Sequence, residues 1–129
     1  MAKILIVGND AQISTLISKF LISKGFRTRV ESNGASALLA AHEDLPDVIL
    51  MDLMMPILEG HETLQALRHD PRTAHIPVVV LANQMNEETL AGALTAGANV
   101  YLTKPPDLQA LLSAVERLAS LRPKDIAPS

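Results

Sequence analysis

The chain has 129 residues, 48% of them hydrophobic, and a formal net charge of −3. This length fits one domain with a substantial core, and the apolar content argues against disorder. The charge offers no basic surface to nucleic acid or to a membrane, and the chain has no cysteine for disulfides or thiolate metal sites. We therefore expect no nucleic-acid partner, no membrane attachment and a location in the cytoplasm.

Short apolar runs and segments of helical periodicity alternate along the whole chain. The predicted strands are residues 3–7, 27–31, 48–52, 76–81 and 100–102. The predicted helices are the segment between Asp10 and Gly25 and residues 35–43, 61–69, 87–96 and 107–121. A loop over residues 54–60 is expected before the third helix, and the mixed polarity of the second strand suggests a sheet edge.

The first helix is predicted to pack through one apolar face. Five residues fall on that face at helical spacing: Ile13, Leu16, Ile17, Phe20 and Leu21. Either Asn9 or Asp10 is the expected N-cap, and Gly25 suits the position after the last helical residue.

Five strand–helix alternations with short connections predict an α/β fold, a doubly wound parallel sheet with helices on both faces. The third strand is an unbroken apolar run, which suits a strand buried on both sides. It ends on Asp52, at the carboxyl end of the strand, where open α/β sheets place their chemistry. We predict one domain over residues 1–122, and residues 123–129 as a polar tail or the start of a linker.

The loops after the first, third, fourth and fifth strands should meet at one end of this sheet. They would gather eight residues around a shallow cleft: Gly8, Asn9, Asp10, Asp52, Ala82, Asn83, Thr103 and Lys104. An aspartate can attack phosphorus as a nucleophile while a lysine opposite it holds the phosphoryl oxygens. Asp52 and Lys104 could equally form a plain ion pair at a strand end, and the pattern alone leaves both interpretations open.

Four segments and the spacing between them resemble the receiver domain of two-component response regulators over about residues 2–121: KILIV, PDVILMDLMMPILEG, IPVVVL and ALTAGANVYLTKP. The resemblance implies a flavodoxin-like sheet of strand order 2-1-3-4-5. It also implies phosphoryl transfer to Asp52 from a histidine kinase or a phosphotransfer protein. Lys104 would be the lysine of the phosphoryl pocket, Pro105 the proline after it and Tyr101 the switch aromatic.

The same resemblance implies a surface for an output partner, formed by the fourth helix, the fifth strand and the fifth helix. Receivers often dimerise through this surface, so the oligomeric state stays open between a monomer and a homodimer.

The chain departs from the family on the metal side of the pocket. Receivers usually carry two acidic residues directly after the first strand, where they hold Mg²⁺, and these positions are Gly8 and Asn9 here. Mg²⁺ prefers carboxylate oxygens in octahedral geometry, so Asn9, Asp52 and the Met54 carbonyl form a weak candidate ligand set. Asp10 lies one residue too late and suits helix capping better. We predict weak Mg²⁺ binding.

A second departure follows the fourth strand. The family places Thr or Ser there, whose hydroxyl binds the phosphoryl group, and this chain has Ala82. Asn83 beside it is larger than the usual small residue; it could donate from its amide, crowd the pocket or be an exposed loop amide. We expect the connection between the phosphoryl group and Tyr101 to be weakened.

Other catalytic or metal-binding patterns are missing from the sequence. The four histidines lack the spacing and the carboxylate partners of a metal site: His42, His61, His69 and His75. No nucleophile elbow, phosphate loop or dinucleotide motif is present, so we expect no enzymatic activity beyond the domain's own phosphorylation and dephosphorylation. Two functions remain: an atypical receiver with an impaired Mg²⁺ site and switch, and a phosphorylation-independent interaction module.

Overall fold

Alternating strands and helices build one parallel sheet in the computed structural model, which describes residues 2–52, 57–82, 87–104 and 106–120. The strands are β1 (Lys3–Val7), β2 (Arg27–Glu31), β3 (Val48–Asp52), β4 (Val78–Ala82) and β5 (Val100–Thr103). The helices are α1 (Ala11–Ser23), α2 (Gly34–Asp44), α3 (Ile57–His69), α4 (Glu87–Ala96) and α5 (Leu108–Ala119). The sheet order is β2-β1-β3-β4-β5. This order and the alternation confirm the flavodoxin-like α/β fold with five helices.

The core lies in two layers, one on each face of the sheet. One face of the strands packs against α2, α3 and α4, through residues such as Ala37, Leu64 and Ala93. The other face packs against α1 and α5, through residues such as Ile17 and Leu111. All five residues of β3 are buried, which explains why its sequence is apolar without alternation.

The ends of α1 follow the capping rules. Asp10 is the N-cap, and its Oδ1 accepts hydrogen bonds from the backbone N–H groups of Gln12 (3.0 Å) and Ile13 (3.2 Å). Gly25 follows the helix with a φ of +95°, a conformation that glycine adopts at little cost. Both assignments made from the sequence, Asp10 as one of two candidate caps and Gly25 at the end, are confirmed.

The predicted apolar face of α1 is wrong at one residue. Leu16 is 52% exposed, and the helix instead buries Ser14, Ile17 and Leu21. Each residue advances about 100° around a helix, so Leu16 lies about 100° from Ile17, on the side away from Ser14 and Leu21. The apolar pattern missed this face because one of its buried residues, Ser14, is polar.

Several boundaries differ by a few residues. Helix α3 begins at Ile57, so the predicted loop is wrong for residues 57–60, because one glycine at about 1 kcal/mol does not stop a helix. Strand β4 begins at Val78 and not at residue 76, since Pro77 has no N–H for the ladder. Residues 53–56, with the rest of that predicted loop, and the tail at 123–129 lie outside the described residues.

The described helices are all too short or too polar to cross a lipid bilayer.

Candidate functional site

An aspartate stands at the carboxyl end of the central strand. Asp52 is the last residue of β3 and is only 6% exposed, with β1 on one side of its strand and β4 on the other. Its Oδ2 lies 2.7 Å from Nζ of Lys104, whose side chain is also only 6% exposed. The contact predicted between these two residues is therefore present, as a buried charge-assisted hydrogen bond.

The register of β5 brings Lys104 to this position. Ala82, the last residue of β4, pairs with Thr103, and the backbone N–H of Lys104 donates to the Ala82 carbonyl at 2.8 Å. Lys104 thus follows the end of β5 directly and reaches across β4 to Asp52. The two charged residues are 52 positions apart in the chain, so only the sheet brings them together.

Gly8 lies against Asp52 from the β1 side. A Cβ built on Gly8 would be 3.2 Å from Cβ of Asp52, 3.5 Å from its Oδ2 and 3.5 Å from Oγ of Ser14. The position therefore faces the Asp52 side chain at or slightly inside van der Waals contact and presents no side chain to it. A charged side chain at position 8 would therefore lie next to the Asp52 carboxylate, and glycine places no charge there.

The remaining residues after β1 do not add a carboxylate that is free for a metal. Asn9 is exposed and lines, together with Gly8, Ser14 and neighbouring hydroxyl-bearing residues of α1, a cavity of about 330 Å³. Asp10 is exposed and caps α1 through Oδ1. Within the described part of the chain, no three His, Cys, Asp or Glu side chains are grouped so that they could hold a metal ion.

Three predicted site positions cannot be placed, because Met54, Asn83 and Pro105 fall outside the described residues. Ala82, by contrast, is placed: it is buried at the end of β4, and as an alanine it has no hydroxyl.

Tyr101 lies inside the protein. It is 8% exposed and belongs to the same core layer as Ala82 and Ala93, and burial raises the pKa of its phenol. Tyr101 therefore lies on the buried side of β5, and the partner surface expected over α4, β5 and α5 stays a prediction. Tyr101 pairs with Val80 of β4 and belongs to the core layer against which the partly buried Leu90 of α4 packs, so it lies on the inner side of the sheet–helix interface.

Two features were missed from the sequence. Ser14 is buried beside the position 8 backbone, and its spacing of three and seven residues from Ile17 and Leu21 could have revealed it as part of the buried stripe. His42 does have a carboxylate partner, because its Nε2 contacts Oδ2 of Asp70 across α2 and the end of α3. Sequence spacing could not show that contact, since His42 lies in α2 and Asp70 follows the end of α3, 28 positions later.

Comparison with known proteins points to one family. A model of the response regulator receiver domain matches residues 4–116, a range that includes both Asp52 and Lys104. The chain is 37% identical over 128 residues to the DNA-binding dual master transcriptional regulator RpaA of Synechocystis, in a match covering 99% of this chain and 52% of that protein. The chain spans about half the length of the curated relatives that it matches first.

Solved structures match over nearly the whole chain. The chemotaxis protein CheY4 of Vibrio cholerae has a TM-score of 0.85 at 29% identity, covering 92% of this chain and 98% of that one. The receiver domain of the sensor histidine kinase PA1611 from Pseudomonas aeruginosa also has a TM-score of 0.85, at 28% identity, covering 93% of this chain and 98% of that one. That structure has a magnesium ion coordinated in its active-site cleft.

Proposed function

The chain belongs to the response regulator receiver domain family, and we propose that Asp52 accepts a phosphoryl group in two-component signalling. Phosphorylation on aspartate is general in this family. The observation that carries the assignment to Asp52 is the buried contact of 2.7 Å between its carboxylate and Lys104 at the carboxyl edge of the sheet. The donor would be the phosphohistidine of a histidine kinase or of a phosphotransfer protein.

Asp52 and Lys104 would have separate roles in the transfer. One carboxylate oxygen of Asp52 attacks phosphorus, the new O–P bond forms as the N–P bond breaks, and the imidazole nitrogen leaves with the electron pair. The Lys104 ammonium, already beside Oδ2, would hold the phosphoryl oxygens as a point charge. Beyond this self-modification we propose no enzymatic activity.

Mg²⁺ would bind weakly at this site. The ion, when bound, neutralises charge on the phosphoryl group. Of the first two positions after β1, Gly8 offers no side chain and Asn9 offers a neutral amide, which leaves Asp52 as the charged ligand. Because charged oxygen ligands dominate the affinity of hard cations, two missing carboxylates should cost several kcal/mol as an order of magnitude.

The switch would be weakly coupled to phosphorylation. Ala82 has no hydroxyl to bind a phosphoryl group, and Tyr101 is buried in the same core layer. An output partner would bind through α4, β5 and α5. The receiver domain would extend over residues 1–122, and the protein would act in the cytoplasm. The histidine kinase and the output partner belong to this proposal as classes of protein, without further identity.

Phosphorylation of the purified chain tests the proposal. The chain would be incubated with acetyl phosphate over a titration of Mg²⁺, with intact mass spectrometry to detect one added phosphoryl group, and Asp52→Asn as the control. We expect slow modification that needs more Mg²⁺ than the usual millimolar range and that is absent from the control. Rapid, complete modification at ordinary Mg²⁺ would contradict the impaired site.

A second candidate function is a phosphorylation-independent interaction module. It is favoured by the existing ion pair, since Lys104 already neutralises Asp52 without a metal, and by the missing side chain at Gly8. In that case no phosphoryl group would be added at any Mg²⁺ concentration, and Asp52→Ala would leave signalling in cells unchanged. Loss of signalling in Asp52→Ala would count against this second candidate.

A further inference from the structure

Arg68, near the C-terminus of α3, uses all of its hydrogen-bond donors on neutral oxygens. Its Nε donates to the Gly97 carbonyl (3.1 Å), and Nη2 donates to the same carbonyl (2.8 Å) and to Oδ1 of Asn99 (2.9 Å). Its Nη1 donates to the carbonyls of Ala74 (3.1 Å) and Ile76 (2.6 Å). A guanidinium has five N–H donors in a rigid fork, so five such bonds fix it completely.

A second arginine, at the opposite edge of the sheet, binds in a different way. Arg29 on the edge strand β2 makes ion pairs with three carboxylates, those of Glu31, Glu43 and Asp44. Arg68 makes no ion pair with any carboxylate in the described ranges, and burial lowers its pKa. Within the described residues, the hydrogen-bond partners of this half-buried cation are neutral backbone and amide oxygens of two separate segments, so Arg68 connects those segments and does not neutralise a carboxylate.

The segments that Arg68 connects are the residues just before β4 and the residues just before β5. Asn99 continues the connection: its Oδ1 also accepts from the backbone N–H of Val78 at 2.9 Å, and its own N–H donates to the Val78 carbonyl at 2.9 Å. Asn99 therefore holds the first residue of β4 from two sides. Gly97 must be small here, since a Cβ would lie 2.7 Å from Cγ of Arg68, and its φ is +116°.

This connection lies at the opposite end of β5 from Lys104. Strand β5 has four residues, and among the strands that the structure describes it pairs with β4 alone, so it is an edge strand with one ladder to define its register. Four residues of strand span about 13 Å, so a shift in the pairing of β5 with β4 at one end of β5 would also displace the other end. A slip of one residue would move Lys104 away from Asp52 and turn its side chain to the other face.

We propose that Arg68 is a positioning residue for Lys104. It fixes the start of β5 against the start of β4 through Asn99, and so sets the register that places the Lys104 ammonium on the Asp52 carboxylate. Arg68 does not touch the acceptor, and its effect on phosphoryl chemistry rests on the function proposed above. Its effect on the Asp52–Lys104 contact does not.

The contact itself is the first readout, because it needs no ligand. In the ¹⁵N NMR spectrum of the full chain, the ammonium of Lys104 should exchange slowly with water because it is buried and bonded. We expect Arg68→Met to abolish this signal and Asn99→Ala, which leaves the guanidinium in place, to weaken it. The matched control is Arg29→Met, the same substitution at an arginine of β2 on the opposite edge of the sheet, and it should keep the signal.

Beryllofluoride binding in a double-mutant cycle is the second readout. A misplacement of about 1 Å in a site can cost up to about a hundredfold, so Arg68→Met should weaken beryllofluoride binding about tenfold to a hundredfold. Coupling through Lys104 requires that Arg68→Met has less than about a twofold effect when Lys104→Met is already present. Arg29→Met should leave the affinity unchanged in both backgrounds.

The outcomes separate the two proposals. A retained Lys104 ammonium signal in both Arg68→Met and Asn99→Ala overturns the positioning role, as do additive effects in the cycle. Failure of the unsubstituted chain to bind beryllofluoride contradicts the phosphoryl-acceptor function, while the NMR signals still decide the role of Arg68. If Arg68→Met does not fold, the Lys104 ammonium signal of Asn99→Ala is compared with that of Arg29→Met, and equal signals overturn the positioning role.

Discussion

The two flanks of Asp52 differ in what the neighbouring strand presents to the carboxylate. On the β5 side, Lys104 reaches Oδ2 at 2.7 Å with a buried side chain, supported by a backbone bond to Ala82. On the β1 side, Gly8 approaches to a distance at which a Cβ would touch Asp52, and brings no functional group. The comparison teaches that this receiver domain holds a buried carboxylate against a cation on one side, while the other side presents only backbone to it.

The largest expected effect comes from breaking the intact flank. Lys104→Met should lower the free energy of unfolding by about 3–5 kcal/mol, because it removes the Lys104 ammonium from a buried carboxylate. Urea denaturation followed by circular dichroism measures this. Lys19→Met, at an exposed lysine of α1, is the matched control and should change stability by less than about 0.5 kcal/mol.

An equal, small effect of both lysine substitutions would mean that water reaches Asp52 and that the pair is not a buried one. The contrast between the two flanks would then disappear.

A smaller effect should follow from rebuilding the empty flank. Gly8→Asp combined with Asn9→Asp should raise Mg²⁺ affinity by about 1–3 kcal/mol, since carboxylates are the ligands that Mg²⁺ prefers. Isothermal titration calorimetry measures the gain. Without Mg²⁺ the variant should be less stable, because the new carboxylate at position 8 would lie against Asp52.

Two controls isolate the charge in that variant. Gly8→Ala adds the same Cβ beside Asp52 without a carboxylate and should not gain Mg²⁺ affinity. Asp10→Asn keeps a side-chain oxygen for the cap of α1 and removes a charge close by, and it should leave Mg²⁺ affinity unchanged. No gain in the double aspartate variant would show that the pocket differs from other receivers in more than these two residues.

The smallest expected effect is at the end of β4, on the same side of Asp52 as Lys104. Ala82→Thr should lower stability by about 1 kcal/mol, because it places a hydroxyl among buried groups, and beryllofluoride should restore part of that loss. Mg²⁺ affinity should stay the same. Thermal unfolding with and without beryllofluoride checks this, with Ala82→Val as the control of the same shape; an equal response of Thr and Val would remove any role for the hydroxyl.

Much of this architecture follows from local patterns. The apolar run before Asp52 and the helical spacings between strands predicted every strand and helix, because burial on one or both sides leaves a period in the sequence. Two errors have different causes. Leu16 is exposed because the face of α1 that packs on the sheet contains Ser14 instead, whereas α3 includes Gly60 because one glycine costs a helix only about 1 kcal/mol.

The candidate site divides in the same way. The sequence named Asp52, Lys104, Gly8 and Ala82, because each stands directly after a predicted strand. It did not reveal that Tyr101 is buried or that His42 meets Asp70, since both depend on which helix covers which face. It also gave no sign of Arg68, whose partners at 74, 76, 97 and 99 are backbone groups and one amide that any sequence could supply.

By itself, the sequence determined the fold class, the carboxylate at the end of β3 and the absence of a carboxylate at position 8 and of a hydroxyl at position 82. These are properties of single segments, and periodicity and residue type express them. Only the tertiary structure decided that Lys104 touches Asp52, that position 8 faces the same carboxylate, and that Arg68 connects the starts of β4 and β5. Such contacts join residues far apart in the chain, and strand register and helix packing, which no single segment encodes, determine them.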